Sequence, residues 1–404
     1  MRVTNHMMYT QTAQSLAKAN ERYMNINEKI SEESSIVRPS DDPNGAGQVL
    51  NYQAENARND QYEKTMTLAK NALDYEEVSL DSLNTSMDRA NRLLIQAQNS
   101  ANDDVDLESI AEELSLIVDS MADLMNSKDA NGNYIFSGSD SASPTMSKNG
   151  AGEYVYGGNE TQNYAQIADG VSIPVNDTGK KVFQDVWTRN TFTATVTAGG
   201  ATLTSLVDDQ DAYDKFVDDN YDAITPANNT YTLSTTAGAP NSYSFTDVNG
   251  NVVDSGTYED GNAINVMGMS FTMDSAGSTV SVTLDTPTRD NVLNELNNTI
   301  SVLKDSNATS AERTAALRDA TTSIKNTQET VGTALSEVGS RINTISAREG
   351  YISSKETSNT LAMNEIAGID LSEAATELQS ANTAVSATQS LFTRLASLSL
   401  FNSL

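Results

Sequence analysis

Apolar residues near the start of the chain return every seven positions, at Tyr9, Leu16, Tyr23 and Ile30. Thr12, Ala19 and Ile26 fill a second seam three residues on. From residue 46 the pattern resumes. Met66, Leu73, Leu80, Met87 and Leu94 keep the same interval, and Leu107, Ile110, Leu114, Ile117, Met121 and Leu124 alternate by three and four. The C-terminal part mirrors this. Leu293, Leu296, Ile300 and Leu303 make a short stripe, and Leu317, Ile324, Val331, Val338, Ile345 and Ile352 form an unbroken heptad run. A last segment carries Leu371, Leu378, Val385 and Phe392, with Ala374, Ala381, Thr388 and Leu395 in its other seam. Such spacing places the apolar residues on one stripe of a helix, and a strict seven-residue repeat keeps that stripe facing a partner helix. Burying one Leu or Ile is worth roughly 1.5–3 kcal/mol, so a long stripe has a strong reason to pair with another of similar length.

Between about 131 and 287 the pattern changes. Gly, Thr, Ser and Asn separate short runs rich in β-branched and aromatic residues: NYIF, EYVY, VSIPV, TFTATVT, YTLST, SYSFTD, VMGMSFTM and STVSVTL. Asn131-Gly132, Asn149-Gly150 and Asn249-Gly250 are hairpin-turn signals. The order helix, sheet, helix predicts an α+β fold. Both chain ends form a long antiparallel helical bundle or coiled-coil rod, and a β-rich domain is inserted at its far tip. The expected division is a discontinuous terminal coiled coil (1–42 with 366–404), a discontinuous helical rod (43–136 with 288–365) and an inserted outer domain (137–287).

Charge and composition narrow the partners. The chain has 404 residues, 55 acidic against 25 basic, and a net charge of −30. That balance argues against nucleic acid and anionic membranes, which need clustered Lys and Arg. No apolar run approaches the length of a membrane span, and the first residues lack the apolar stretch of a secretory signal. Cys is absent, which excludes disulfides, thiolate metal sites and thiol nucleophiles.

Local chemistry is sparse. His6 is the single histidine and reads as a polar helix residue. Asp129, Asn131 and Asn133 match the first three ligand positions of a calcium loop with Asp140 at the twelfth, but Tyr134 stands where Gly is required. The stretch from Asp247 fits less well, with Val252 at the sixth position and Tyr258 at the twelfth. Both read as β-turns. Asp208, Asp209, Asp211, Asp214, Asp218, Asp219 and Asp222 read as a solvated acidic face. There is no nucleophile elbow and no phosphate-cradling glycine loop. The expectation is a non-enzyme with no metal and no cofactor.

The stretch RPSDDPNGAG at 38–47 is the most patterned. Arg38, Pro39 and Ser40 form a non-helical connector, Asp41 and Asp42 suit a helix N-terminus, and Pro43 suits the first helical position. This marks a joint between a short first helix and a long second one. Together with MRVTNHMMYTQ, TLAKNALDYEEVSLDSLNTSMDRANRLLIQAQN, NGNYIFSGS and the ending LFTRLASLSLFNSL, the joint resembles the flagellin-like hook–filament junction proteins of bacterial flagella, the hook-associated protein 3 family. The likeness covers both ends and touches the insert at YAQIADGVSIPVNDTGKKVF and VMGMSFTMDSAGSTVSVTL, while 190–262 match nothing in that family.

The resemblance implies a structural protein that links the hook-side junction protein (hook-associated protein 1) to the flagellin filament, as copies of itself in a ring. It implies an extracellular place on the flagellum, export unfolded through the type III channel without a cleaved signal peptide, and an export chaperone on the C-terminal helix. The terminal stripes, Tyr9, Leu16, Tyr23 and Ile30 with Leu371, Leu378, Val385, Phe392 and Leu395, would pair antiparallel. Two helices cannot cover both stripes plus Leu398, Leu400 and Phe401, so neighbouring subunits would complete the interface. Two other classes stay open: a flagellin or minor flagellin that forms the filament itself, and an adhesin or secreted enzyme displayed through the insert.

Overall fold

The seven-residue repeat is realised as two very long helices. In the computed structural model, described for residues 5–259 and 261–401 with side chains for 7–259 and 261–394, α1 spans Asn5–Ser31, α2 Pro43–Ala97 and α3 Asp104–Met125. Fourteen strands follow: β1 (Met146–Lys148), β2 (Tyr154–Tyr156), β3 (Tyr164–Ala168), β4 (Val171–Pro174), β5 (Val186–Trp187), β6 (Phe192–Ala198), β7 (Leu203–Val207), β8 (Thr230–Thr236), β9 (Asn241–Thr246), β10 (Val252–Tyr258), β11 (Ile264–Val266), β12 (Met269–Met273), β13 (Thr279–Leu284) and β14 (Arg289–Asp290). Helix α4 (Gln210–Asn220) lies among them, and α5 (Val292–Lys304), α6 (Ser310–Ala367) and α7 (Leu371–Phe401) close the chain. None of the described helices is long and apolar enough to cross a membrane. The α+β class read from the sequence is the observed one.

The chain packs into two compact units: Met1–Lys70 with Ala165–Ile173 and Ile342–Leu404, and Asn71–Tyr164 with Pro174–Arg341. In the second unit the heptad residues Leu73, Leu80, Met87 and Leu94 of α2 and Leu317, Ile324, Val331 and Val338 of α6 are fully or almost fully buried. Leu80, Met87, Leu94, Leu317, Ile324 and Val331 share a core with α3 and α5, whose stripes Leu107, Ile110, Leu114, Ile117 and Met121, and Leu293, Leu296, Ile300 and Leu303, turn inward. Helix α2 meets α6 there through Gln328, whose amide donates to Asn84 at 3.1 Å and to Asp88 at 2.7 Å. In the first unit Asn359 of α6 donates to Glu55 and Asn56 of α2, and Lys355 pairs with Glu55 at 2.5 Å.

Helix α3 starts at a capping box. The Asp103 carboxylate accepts the N–H groups of Val105 and Asp106, and the Asp106 side chain accepts that of Asp103. This satisfies backbone donors that a helix start leaves open.

The insert has its own core in the second unit. A five-stranded antiparallel sheet runs in the order β10-β9-β8-β13-β6, and a three-stranded sheet in the order β11-β12-β7. Alternate residues of β8 and β13 point inward: Tyr231 and Leu233, Val280, Val282 and Leu284. This is the period-two pattern of a half-buried sheet. The middle of the acidic run read as a solvated face lies on helix α4. Asp209 caps it, and Tyr213, Phe216 and Val217 are buried at helical spacing. Asp211, Asp218 and Asp219 are exposed, while Asp214 is half-buried and accepts from Asn190 and Gln210. NYIF is not a strand. Ile135 and Phe136 enter the helical core from an irregular segment, with Phe136 5.0 Å from Phe183.

The β9–β10 and β1–β2 turns and the loop after α3 share one chemistry. The side-chain oxygens of Asp129, Asn149 and Asp247 each accept two backbone N–H groups, two and four residues on. Gly132, Gly152 and Gly250 take the left-handed position at φ of +85°, +88° and +84°, which Gly adopts without a Cβ clash. The carboxylates of Asp129 and Asp247 are thereby spent on the turn.

Candidate assembly surface

The first and last helices meet within the first unit as an antiparallel pair. Tyr9 and Phe392 contact at one end, Arg22 pairs with Glu377 at 2.9 Å, and Ile26 packs with Ala374 and Ala381. Among the described residues, the buried ones of this pair are Ile26, Ala374 and Ala381. They belong to the second seam of each helix. The stripe expected to lead, Tyr9, Leu16, Tyr23, Ile30, Leu371, Leu378, Val385 and Phe392, is placed differently: Leu16, Ile30, Leu378, Val385 and Phe392 are half-buried, while Tyr9, Tyr23 and Leu371 are exposed. Small alanines let the backbones approach, so the larger side chains splay to the flanks.

Among the described residues, four exposed large apolar side chains of the pair lie off the heptad stripes. Met7, Met8, Met24 and Leu391 are 61%, 42%, 68% and 56% exposed. Their signal in the sequence is only that each is apolar off the repeat. Leu395, Leu398, Leu400 and Phe401 belong to α7, but their side chains lie outside the described residues, as does that of His6. Leu404 lies outside altogether.

The joint is a network of local bonds. The Asp41 carboxylate accepts the N–H groups of Val37 and Arg38, and the Arg38 hydrogen bond leads the effects that hold this carboxyl below its usual range. Arg38 reaches back to Glu28 at 2.7 Å. Asp42 accepts the Asn44 N–H at 3.0 Å, and α2 begins at Pro43, whose missing N–H needs no partner there. Pro39 and Ser40 are exposed. The return strand of the joint is tied in too. Ser34 bridges Gly368, the Ser35 N–H donates to the Ala367 carbonyl at 2.7 Å, and Asp370 caps α7. The connector after α1 and the break between α6 and α7 are thus one structure.

Among the described residues, one group has the spacing to gather a cation. Asp60, Glu63 and Glu356 bring carboxylate oxygens within 4.8 Å of one another in the first unit. Burial, then the charges of Glu63 and Asp60, pushes the Glu356 carboxyl up. These are exposed or half-buried acids, and such groups gather without an ion.

Residues 3–141 match the family model described as the bacterial flagellin N-terminal helical region. Flagellar hook-associated protein 3 of Salmonella typhimurium is 28% identical over 186 residues, 46% of this chain and 58% of that protein. Its Escherichia coli counterpart matches to the same extent. The chain thus spans little more than half the length of these relatives. Among solved structures, FlgL of Xanthomonas campestris superposes with a TM-score of 0.57 at 22% identity, over 76% of this chain and 98% of that one. The flagellar junction protein FlgL of Legionella pneumophila gives 0.52 at 24% identity, over 74% and 98%. The likenesses to solved structures are ones of fold, and the curated relatives agree with the resemblance read from the sequence.

Proposed function

We propose that this chain is a structural junction protein of the bacterial flagellum, placed between the hook-side junction protein and the flagellin filament. The observation that carries the reading is the terminal helix pair. It buries Ile26, Ala374 and Ala381 and leaves Met7, Met24, Leu371 and Leu391 facing outward. An apolar strip of this kind on a two-helix unit suits coverage by neighbouring copies. The curated relatives, named for the hook-associated protein 3 role, favour this over a self-polymerising flagellin.

In this reading the terminal unit (1–42 with 366–404) forms the inner layer of a tube wall, the segment 43–136 with 288–365 the helical middle, and 137–287 the outward domain. Tyr9, Leu16, Tyr23, Ile30, Leu371, Leu378, Val385, Phe392, Leu395, Leu398, Leu400 and Phe401 make the contacts between copies, to hook-associated protein 1 and to flagellin. Arg38 to Pro43 set the angle between the layers. The chain leaves the cell through the flagellar type III channel, with an export chaperone on its last helix. It is structural rather than catalytic.

Deleting the gene tests the reading. Cells keep hooks and export flagellin into the medium without retaining it, and the intact gene restores filaments. Normal filaments in the deletion strain contradict it.

A further inference from the structure

Glu76 breaks the apolar seam of α2. It lies three residues after Leu73 and four before Leu80, at a position where the repeat calls for an apolar side chain, and it is fully buried. Its Oε1 accepts the backbone N–H of Asp177 at 2.9 Å, and its Oε2 is enclosed with no hydrogen-bond partner. Asp177 is itself fully buried, between Asn176 and Thr178, just after the β3–β4 hairpin.

The charged groups around Glu76 do not favour a second negative charge. Arg341 of α6 gives one amino group to each oxygen of the Asp177 carboxylate at 3.0 Å, and one of them also reaches Glu337 at 2.9 Å. Glu337 in turn takes Lys181 at 2.9 Å. Gln162 donates to Asp177 at 2.9 Å. Three carboxylates, Glu76, Asp177 and Glu337, therefore gather near one guanidinium, whose bonds go to the other two. A buried carboxylate without a cation or a second donor releases its proton reluctantly. Burial, then the charge of Asp177, pushes the Glu76 carboxyl up to about 8.

We propose that Glu76 is a proton-operated latch: as a neutral acid it holds the Asn176–Thr178 segment, and with it the root of the inserted β region, against α2, and loss of its proton releases that segment. The latch is closed in acid and neutral solution and loosens on alkalinisation. The sign follows from linkage. The unfolded chain gives up this proton near the ordinary carboxylate range while the folded chain keeps it, so stability falls as pH rises between the two values and levels off above the folded one.

The test uses the full chain and Glu76→Gln, which keeps shape and acceptor but cannot ionise. Trp187 is the single tryptophan and lies in the second unit, so its fluorescence follows that unit in urea. Every other titrating group, including Glu295, whose carboxyl burial also pushes up, is common to both proteins. The ratio of wild-type to variant unfolding constants is expected to rise about tenfold per pH unit, to about a hundredfold between pH 5.5 and 8, and then to flatten. A ratio constant within twofold overturns the proposal. The Asp177 amide resonance of the wild type gives a second readout that needs no variant. It is expected to shift with a midpoint in the same range, and a resonance unmoved from pH 6 to 9.5 overturns the proposal as well.

Discussion

Tyr9 of the first helix and Phe392 of the last meet with ring centroids 5.0 Å apart and ring planes inclined at 42°. This contact closes the chain on itself. It sits beyond the Ile26–Ala374–Ala381 core, and both rings keep part of their surface open. The terminal pair is therefore built with narrow internal cohesion and apolar surface to spare.

Narrow cohesion has a dynamic consequence. Two helices that bury few large side chains open at low free energy, whereas the α2–α3–α5–α6 core opens only with global unfolding. Hydrogen exchange on the free chain is expected to be fast in 7–31 and 371–394 and slow in 73–94 and 317–338. Met24→Glu and Leu391→Glu are expected to change monomer stability by no more than about 0.5 kcal/mol, as exposed substitutions do, yet to block incorporation into flagella. Terminal amides as slow as those of the core, or normal incorporation of both variants, contradict the interface assignment.

Val331 lies in the unbroken heptad run of α6 and is fully buried in the helical core. Val331→Asp puts a carboxylate there without a cation. The expected loss is roughly 3–5 kcal/mol, read as a lower urea midpoint for the second unit. An unchanged midpoint removes Val331 from the core.

Gly45 and Gly47 both lie in the first turns of α2, where Ala is ordinarily the better helix former by up to about 1 kcal/mol. The joint reverses that order at one of them. A Cβ on Gly45 falls 2.5 Å from Asp42 Oδ2 and 2.7 Å from Ile36 Cδ1, while one on Gly47 meets nothing within 4 Å. Gly45→Ala must displace the ends of the Asp42 and Ile36 side chains and is expected to destabilise the first unit by up to about 1 kcal/mol through the disturbed cap. Gly47→Ala is expected to stabilise it by about 0.5–1 kcal/mol. Thermal melts of both variants check the contrast, and equal effects contradict the close packing of the joint.

The helical part of the fold was legible because its signal repeats. Leu317, Ile324, Val331, Val338, Ile345 and Ile352 are all buried, as a seven-residue period requires. The terminal helices were legible in existence and pairing, but not in which seam is covered. The choice between Tyr23 and Ile26 depends on how closely Ala374 and Ala381 let the helices approach, which a one-helix pattern does not encode. Helix α4 was hidden by its four acids, although Tyr213, Phe216 and Val217 stand at helical spacing. The β order β10-β9-β8-β13-β6 joins strands distant in sequence, and local turn signals fix only the hairpins within it. Glu76 was visible as an acid in an apolar seam, but its partner Asp177 lies 101 residues away.

The most direct measurement is the position of the protein on intact flagella, by gold labelling of a tag placed in the exposed Asp247–Asn251 turn of the insert. A single narrow band between hook and filament is the expected result. Label spread along the filament, or absent from the flagellum, contradicts the junction assignment.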